Sequence, residues 1–159
     1  MEIASTNKKL EINTKANTFC MPDQTFEVAV IDDNKLINMI LLSKALDATI
    51  NRIRSLKKFA IKFSSFKNGT DFLTYLDNKE FGNSKLIVFS DYYLEENVNG
   101  DEILKKIKQK DIDSTVIIMS DTTNKQTSVD TVNMGAHCFL PKDKKTPFIC
   151  SEILSQMVI

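Results

Sequence analysis

The chain has 159 residues, of which 42% are hydrophobic, enough for one substantial core and too few for a second large domain. Lysine plus arginine equals aspartate plus glutamate at 21 each, so no overall charge draws the protein to nucleic acid or to an acidic membrane. No apolar run suits a signal peptide or a membrane span, and the three cysteines (Cys20, Cys138 and Cys150) lack metal-type spacing, so we expect a soluble cytoplasmic protein.

The first 25 residues form a polar segment rich in Asn, Thr and Lys, with Pro22 near its end. This composition predicts a tail or a loosely docked arm. The folded domain is predicted to cover 26–159. From Phe26 onward, short apolar runs alternate with helical periodicity, which is typical of parallel strands joined by crossover helices.

Five strands and five helices are predicted in alternation. The strands are Glu27 to Ile31, Phe59 to Phe66, Leu86 to Ser90, Thr115 to Met119 and His137 to Leu140, and the helices lie near 34–57, 70–79, 100–110, 124–135 and 146–157. Most strands are continuous runs of Val, Ile, Leu and Phe, so we expect them to be covered on both faces. The predicted fold class is therefore a doubly wound α/β fold built from five βα units.

The first predicted helix is unusually long. Its apolar stripe comprises Leu42, Leu46, Ile50, Ile53 and Leu56, which predicts a helix that either protrudes or breaks. Its second half, 48–58, is basic at its polar positions, and a solvated helix face is favoured there over a contact surface. Gly135 is predicted to end the fourth helix, and His137, the single histidine, is given no catalytic role.

Polar side chains follow four of the predicted strands, at the edge where an open parallel sheet binds its ligands. They are Asp32 and Asp33 after the first strand, Asp91 after the third, Ser120 and Asp121 after the fourth, and Lys142 after the fifth. Three carboxylates held together repel one another, and a divalent cation such as Mg²⁺ relieves that repulsion. An aspartate can also attack phosphorus and form an acyl phosphate, with Lys142 as a second positive charge.

Four segments at these strand ends resemble the signature segments of response-regulator receiver domains. They are VIDDN at 30–34, FSDYYL at 89–94 with Gly100 following, VIIMSD at 116–121 and GAHCFLPK at 135–142. The resemblance covers roughly 26–158, and all four segments occur in order and at the expected strand ends. It implies a flavodoxin-like, five-stranded parallel sheet with strand order 2-1-3-4-5.

The resemblance also implies a role for each residue of the predicted site. Asp91 is the phosphoacceptor and a metal ligand, Asp33 binds Mg²⁺ directly, Asp32 assists through water, and the backbone carbonyl of Tyr93 completes the protein's ligands. Lys142 pairs with one phosphoryl oxygen and Ser120 hydrogen-bonds another. Phe139 corresponds to the aromatic switch residue whose rotamer follows the Ser120 hydroxyl.

The function implied by the resemblance is signalling in a two-component system. A sensor histidine kinase or a histidine phosphotransfer protein donates the phosphoryl group, and the 124–157 surface switches its contacts with a downstream protein. The domain is then a phosphoacceptor that assists its own phosphorylation and dephosphorylation rather than an enzyme with a separate substrate. Direct binding to nucleic acid or membrane is not expected.

Three features depart from the family pattern. Asp121 is a bulky anion where receivers have a small residue, and it could slow the entry of small phosphodonors. Asp143 follows Lys142 where receivers usually have proline, often after a cis bond. The loop YYLEENVNG lacks a frequent proline, and Tyr93 occupies a position that tunes the lifetime of the phosphate.

Each residue also has a purely structural interpretation. Asp33 could cap the first helix, and Asp91 could begin a turn. Ser120 could be an ordinary strand end, Lys142 a surface lysine and Phe139 part of the core. At the level of function, the alternatives are a receiver-like binding module that works without phosphorylation and a phosphatase of the haloacid-dehalogenase type. The latter needs a second aspartate two residues after the first, whereas Asn34 stands there.

Overall fold

The computed structural model describes residues 24–33, 37–56, 59–94, 98–121 and 124–158. The predicted tail up to residue 23, with Cys20, lies outside these ranges, as do the predicted start of the first helix at 34–36 and the end of the basic segment at 57–58. The elements along the chain are β1 (Gln24–Ile31), α1 (Ile37–Arg54), β2 (Phe59–Phe66), α2 (Gly69–Asn78), β3 (Lys85–Asp91), α3 (Gly100–Gln109), β4 (Ser114–Ser120), α4 (Lys125–Asn133), β5 (Cys138–Pro141) and α5 (Thr146–Val158).

The five strands form one parallel sheet in the order β2-β1-β3-β4-β5, which confirms the predicted fold class. After β2 the chain crosses back past β1, so the strand order reverses between β1 and β3. In open parallel sheets, that reversal opens a crevice at the carboxyl ends of the two strands. The residues that follow β1 and β3 therefore lie where ligands are expected.

The core consists of two apolar clusters, one on each face of the sheet. Along β1, Val28 and Val30 face α1 and α5, whereas Ala29 and Ile31 face α2 and α3. This alternation of buried side chains explains why the central strands β1, β3 and β4 are continuously apolar. The edge strands β2 and β5 are only partly buried, so the prediction of two covered faces is wrong for them.

Helix α1 neither breaks nor continues as far as predicted. Leu46, Ile50 and Ile53 are fully buried, as the apolar stripe predicts. The helix ends at Arg54, however, and Leu56 is 51% exposed. The prediction that Leu56 belongs to the buried stripe is therefore wrong. The basic positions contact their own chain: Arg52 donates to the Ser155 hydroxyl of α5 over 2.8 Å. Arg54 likewise donates to a carbonyl of β2.

Other boundaries differ from the predictions by a few residues. β1 begins at Gln24, so the last two residues of the predicted tail belong to the sheet. His137 precedes β5 and is exposed, although its backbone N–H donates to the Val116 carbonyl over 2.8 Å. Gly135 has φ of 108° just past α4, as expected of a glycine that ends a helix. Among the described residues, no helix is both long and apolar enough to cross a membrane.

The packing of α1 predicts unequal effects for two leucines of the same predicted stripe. Leu46→Ala empties a fully buried position and is expected to lower the free energy of unfolding by about 2 to 5 kcal/mol. Leu56→Ala removes an exposed side chain and is expected to change it by less than about 0.5 kcal/mol. Urea unfolding followed by circular dichroism measures both, and equal losses would contradict this description of α1.

Candidate functional site

Three carboxylates meet at the carboxyl edge of the sheet. Asp32 and Asp33 follow β1 and Asp91 ends β3, and one ligand oxygen from each lies within 4.8 Å of the others. Asp32 and Asp91 are only 2% and 5% exposed, and a surface turn at Asp91 does not require such burial. The structure thus brings Asp91 next to two aspartates that precede it by almost sixty positions.

Lys142 is the cation of this cluster. Its Nζ lies 2.9 Å from Asp91 Oδ2 and 3.0 Å from Asp32 Oδ2. The side chain is 8% exposed, so the interpretation as a solvated surface lysine does not apply. The residue follows β5, two strands away from β3, and the length of the lysine side chain spans that distance.

The charges of the cluster are unbalanced. Several effects together raise the pKa of Asp91 to about 6. Burial is the largest and raises it, the hydrogen bond and charge of Lys142 lower it, and the charges of Asp32 and Asp33 raise it. Burial alone would lower the pKa of Lys142, but its hydrogen bond to Asp91 and the charges of Asp91 and Asp32 outweigh this effect and raise it. Lys142 thus neutralises part of a cluster of three neighbouring carboxylates, and a divalent cation would stabilise the cluster further.

This set of donors fits a hard divalent cation. Mg²⁺ prefers carboxylate oxygens, usually one or two, with the remaining positions filled by waters and phosphate oxygens. Asp33, which is half-buried, borders both the cluster and the solvent and can supply such an oxygen. The Tyr93 carbonyl remains a predicted ligand, since the structure gives no contact that tests it.

The residues that directly follow β3 and β5 are both hydrogen-bonded to the end of β4. The Tyr92 N–H donates to the Met119 carbonyl over 2.7 Å, and the Lys142 N–H donates to the Ser120 carbonyl over 2.8 Å. The Ser120 side chain is fully buried at this point, beside the two loops. β4 therefore fixes the backbone beside Asp91 and that of Lys142 relative to each other.

Gly100 has a steric role that its place in the sequence segment did not reveal. A Cβ at this position would lie 2.9 Å from the Asp91 carbonyl oxygen and 3.0 Å from the Tyr92 Cα. The Gly100 N–H also donates to the Tyr92 carbonyl over 2.7 Å. The start of α3 thus packs directly against the backbone of Asp91 and Tyr92, and only glycine allows that approach without displacement.

Phe139 lies between Tyr92, which follows Asp91, and the start of α4. It is half-buried, and its ring centroid is 6.2 Å from that of Tyr92. With Asn124, Lys125, Ser128 and Pro141 it lines a cavity of about 250 Å³. The Phe139 ring therefore contacts Tyr92, next to Asp91, on one side and borders open volume on the other. That volume would allow the ring to change rotamer.

Two residues that depart from the family pattern occupy different environments. The Asp121 side chain is exposed. Asp143 lies in the turn after Lys142, where its Oδ1 accepts the Lys145 N–H over 2.8 Å. Every peptide bond of the described residues, including the one after Lys142, is trans.

Thr146 was missed by the sequence analysis. Its hydroxyl contacts the peptide groups on both sides of Lys142. A signal was present, because threonine at the start of a helix, just before proline, commonly hydrogen-bonds the preceding turn. That signal does not distinguish a turn that holds a functional lysine from any other turn.

The geometry agrees with a family match and with similar solved structures. The family model described as "Response regulator receiver domain" matches residues 28–153. No curated protein matches significantly. Among solved structures, the receiver domain of Francisella response regulator 1452 is 18% identical, with TM-score 0.60, covering 84% of this chain and 98% of that one. The Mn²⁺-bound response regulator Rcp1 is 18% identical, with TM-score 0.57 and coverage of 83% and 88%.

A third similar structure is the CheX-CheY-BeF3-Mg complex from Borrelia burgdorferi. The matched chain is 21% identical, with TM-score 0.58, covering 84% of this chain and 90% of that one. At these identities the three structures establish the shared fold. The family follows from the match over most of the chain.

Proposed function

Because this chain belongs to the response regulator receiver domain family, we propose that it accepts a phosphoryl group on Asp91 and acts as a switch in two-component signalling. The observation that carries the assignment to Asp91 is the hydrogen bond from Lys142 Nζ to Asp91 Oδ2, 2.9 Å long, beside Asp32 and Asp33. Asp91 is the carboxylate of this cluster that ends β3, and it has a cation, two further carboxylates and the buried Ser120 around it.

The chemistry proposed is a displacement at phosphorus. An oxygen of Asp91 forms a bond to phosphorus while the bond from phosphorus to the imidazole nitrogen of a donor phosphohistidine breaks. Asp32, Asp33, Asp91 and the Tyr93 carbonyl would hold Mg²⁺, with Asp32 acting through water. The bound cation supplies charge neutralisation for the transferring group. The domain would assist its own dephosphorylation by the same arrangement.

Lys142 changes partners in this proposal. In the structure its ammonium neutralises Asp91 and Asp32, and after transfer it contacts a phosphoryl oxygen on Asp91. The buried Ser120 hydroxyl turns to hydrogen-bond a second oxygen. Both contacts are charge-assisted and stronger than ordinary hydrogen bonds, so they can move the segments that follow β4 and β5.

The proposed conformational change passes through Phe139. When Ser120 moves towards the phosphoryl group, the Phe139 ring turns inward, and the cavity of about 250 Å³ that it lines between α4 and β5 gives it room to change rotamer. Phe139 has no hydroxyl, so its switch is steric. The change is a population shift between two packed states of α4 and β5.

The readout surface proposed for a downstream protein is the 124–157 region. Helix α4 buries Thr131 but leaves Val129, Val132 and Met134, at its end, exposed. Phe148 of α5 is exposed as well. Exposed apolar side chains that cluster are typical of protein interaction sites. Helix α4 buries little besides Thr131, so few contacts oppose a movement of this helix.

The partner proposed upstream is a sensor histidine kinase or a histidine phosphotransfer protein, with no direct binding to nucleic acid or membrane. A cytoplasmic location fits both the partner and the two described cysteines, Cys138 and Cys150, which are free thiols. Burial raises the pKa of Cys150 to about 12, so that thiol is protonated and inert.

The alternative of a receiver-like module that works without phosphorylation is favoured by two features, the anion Asp121 beside the site and the altered loop YYLEENVNG, but the complete set of acidic, hydroxyl and lysine residues argues against it. The Asp121 side chain is exposed rather than directed into the buried cluster, so this residue gives that alternative less support. The phosphatase alternative has less support, because Asn34 stands two residues after Asp32, where that class needs a second aspartate, and because the chain belongs to the receiver family.

Phosphoryl transfer to Asp91 predicts the behaviour of two variants. Asp91→Asn is expected to abolish labelling by a competent phosphohistidine donor in Mg²⁺, because the amide is not a nucleophile. Asp121→Asn, the matched control, is expected to label at least as fast as the parent because it removes an anion near the site. Labelling is measured by phosphate-affinity electrophoresis, which separates the phosphorylated from the unphosphorylated protein. Equal labelling of Asp91→Asn would sink the proposal.

The metal assignment makes a separate prediction. Asp33→Asn is expected to weaken Mg²⁺ binding by at least about tenfold, because it removes one charged ligand of a small site. Tyrosine fluorescence can follow the titration, since two of the three tyrosines, Tyr92 and Tyr93, directly follow Asp91 and no tryptophan is present. The control Asp121→Asn should bind Mg²⁺ within about twofold of the parent. Unchanged affinity in Asp33→Asn would contradict the assignment.

A further inference from the structure

We infer that Thr146 is a positioning residue for Lys142, holding the backbone on both sides of the lysine so that its ammonium reaches Asp91. The inference rests on the proposed function, because it concerns how well Lys142 meets the phosphoryl group. Thr146 does not touch the reacting atoms itself.

The hydroxyl of Thr146 bridges the two peptide groups that flank Lys142. Its Oγ1 donates to the Pro141 carbonyl over 2.6 Å and accepts the Asp143 N–H over 2.8 Å. The N–H of Lys142 itself donates to the Ser120 carbonyl over 2.8 Å. Three hydrogen bonds thus fix the peptide planes before and after the lysine, and with them its backbone dihedral angles.

The bridge uses the threonine's hydrogen-bonding capacity in a defined way. A hydroxyl has one proton to donate, and here it is directed to the Pro141 carbonyl, the nearer acceptor. Asp143 Oδ1, 3.4 Å from the hydroxyl, is a weaker contact and instead accepts the Lys145 N–H over 2.8 Å. The Thr146 N–H donates to the Asp143 carbonyl over 3.2 Å and closes the turn.

Burial makes this bridge consequential. Thr146 is 4% exposed, so water cannot readily replace a lost hydroxyl at the Pro141 carbonyl and the Asp143 N–H. The turn lacks the proline that receivers usually carry after the lysine, and Asp143 leaves the backbone there freer to rotate. The threonine hydroxyl supplies the missing constraint from the start of α5.

The lysine depends on such a constraint because its side chain is long and flexible. Its Nζ contacts two carboxylates at 2.9 and 3.0 Å, and a backbone rotation at Lys142 would move the ammonium out of reach of Asp91. Displacements of about 1 Å in a positioning group can reduce a reaction rate by about a hundredfold. The proposed metal ligands Asp32, Asp33 and Asp91 lie at the ends of β1 and β3, so loosening the turn after Lys142 should leave them in place.

The experiment compares the parent with T146V, T146S and T49V. Thr146→Val keeps the shape of the side chain and removes the hydroxyl, whereas Thr146→Ser keeps the hydroxyl. Thr49 is a matched control on α1, because it is also a buried threonine, 7% exposed, and it lies outside both the acidic cluster and the 124–157 region. Beryllofluoride, a phosphoryl mimic, is titrated at saturating Mg²⁺ and followed by tyrosine fluorescence; Mg²⁺ affinity is measured separately.

We expect T146V to bind beryllofluoride about tenfold more weakly, a factor typical of losing a buried hydrogen bond. T146S should stay within about threefold of the parent and T49V within about twofold. Mg²⁺ affinity should not weaken in T146V, whereas general structural damage would weaken both ligands. If T146V is not folded by circular dichroism, T146A is the replacement and is judged by the same criteria.

The inference is overturned if T146V binds beryllofluoride as tightly as the parent, or if T49V loses as much as T146V. It is also overturned if T146S fails to restore binding or if T146V loses Mg²⁺ affinity in parallel. A parent protein that forms no Mg²⁺-dependent adduct would instead contradict the proposed function, so the two failures are distinguishable.

Discussion

The arrangement on which the site depends is a single ammonium buried against two carboxylates, with a third beside them. Lys142 lies 2.9 Å from Asp91 and 3.0 Å from Asp32, and Asp33 completes the acidic cluster. Because burial raises the pKa of Asp91 to about 6, ionising it costs folding free energy. Without a divalent metal ion, the cost of ionising Asp91 grows as the pH rises from 3.8, the ordinary pKa of aspartate, to about 6. A bound divalent ion would offset that cost.

The fold keeps this unfavourable cluster together through the backbone rather than through the carboxylates themselves. β4 accepts hydrogen bonds from the residues that follow both β3 and β5, and Gly100 packs directly against the Asp91 carbonyl. The parallel order, which reverses between β1 and β3, brings the aspartates of those two strands to one edge. The stability of the two apolar layers therefore supports a concentration of charge that would not assemble by itself.

The sequence was sufficient for the fold because its information is local and repeated. The apolar runs of β1, β3 and β4 and the buried stripe of α1 are unambiguous, and the acidic strand ends follow from them. Leu56 was misassigned because periodicity does not show where α1 stops. Thr146 and Gly100 could not be assigned roles from the sequence, since one acts through hydrogen bonds across a turn and the other through the absence of a Cβ.

The central claim is that Asp91 carries the phosphoryl group. The most direct test is to phosphorylate the protein with a phosphohistidine donor and Mg²⁺, reduce the acyl phosphate with borohydride and locate the modified residue by tandem mass spectrometry. Reduction converts a phosphorylated aspartate to homoserine, and the account predicts homoserine at position 91. Homoserine at another aspartate, or none after stoichiometric phosphorylation, would contradict it.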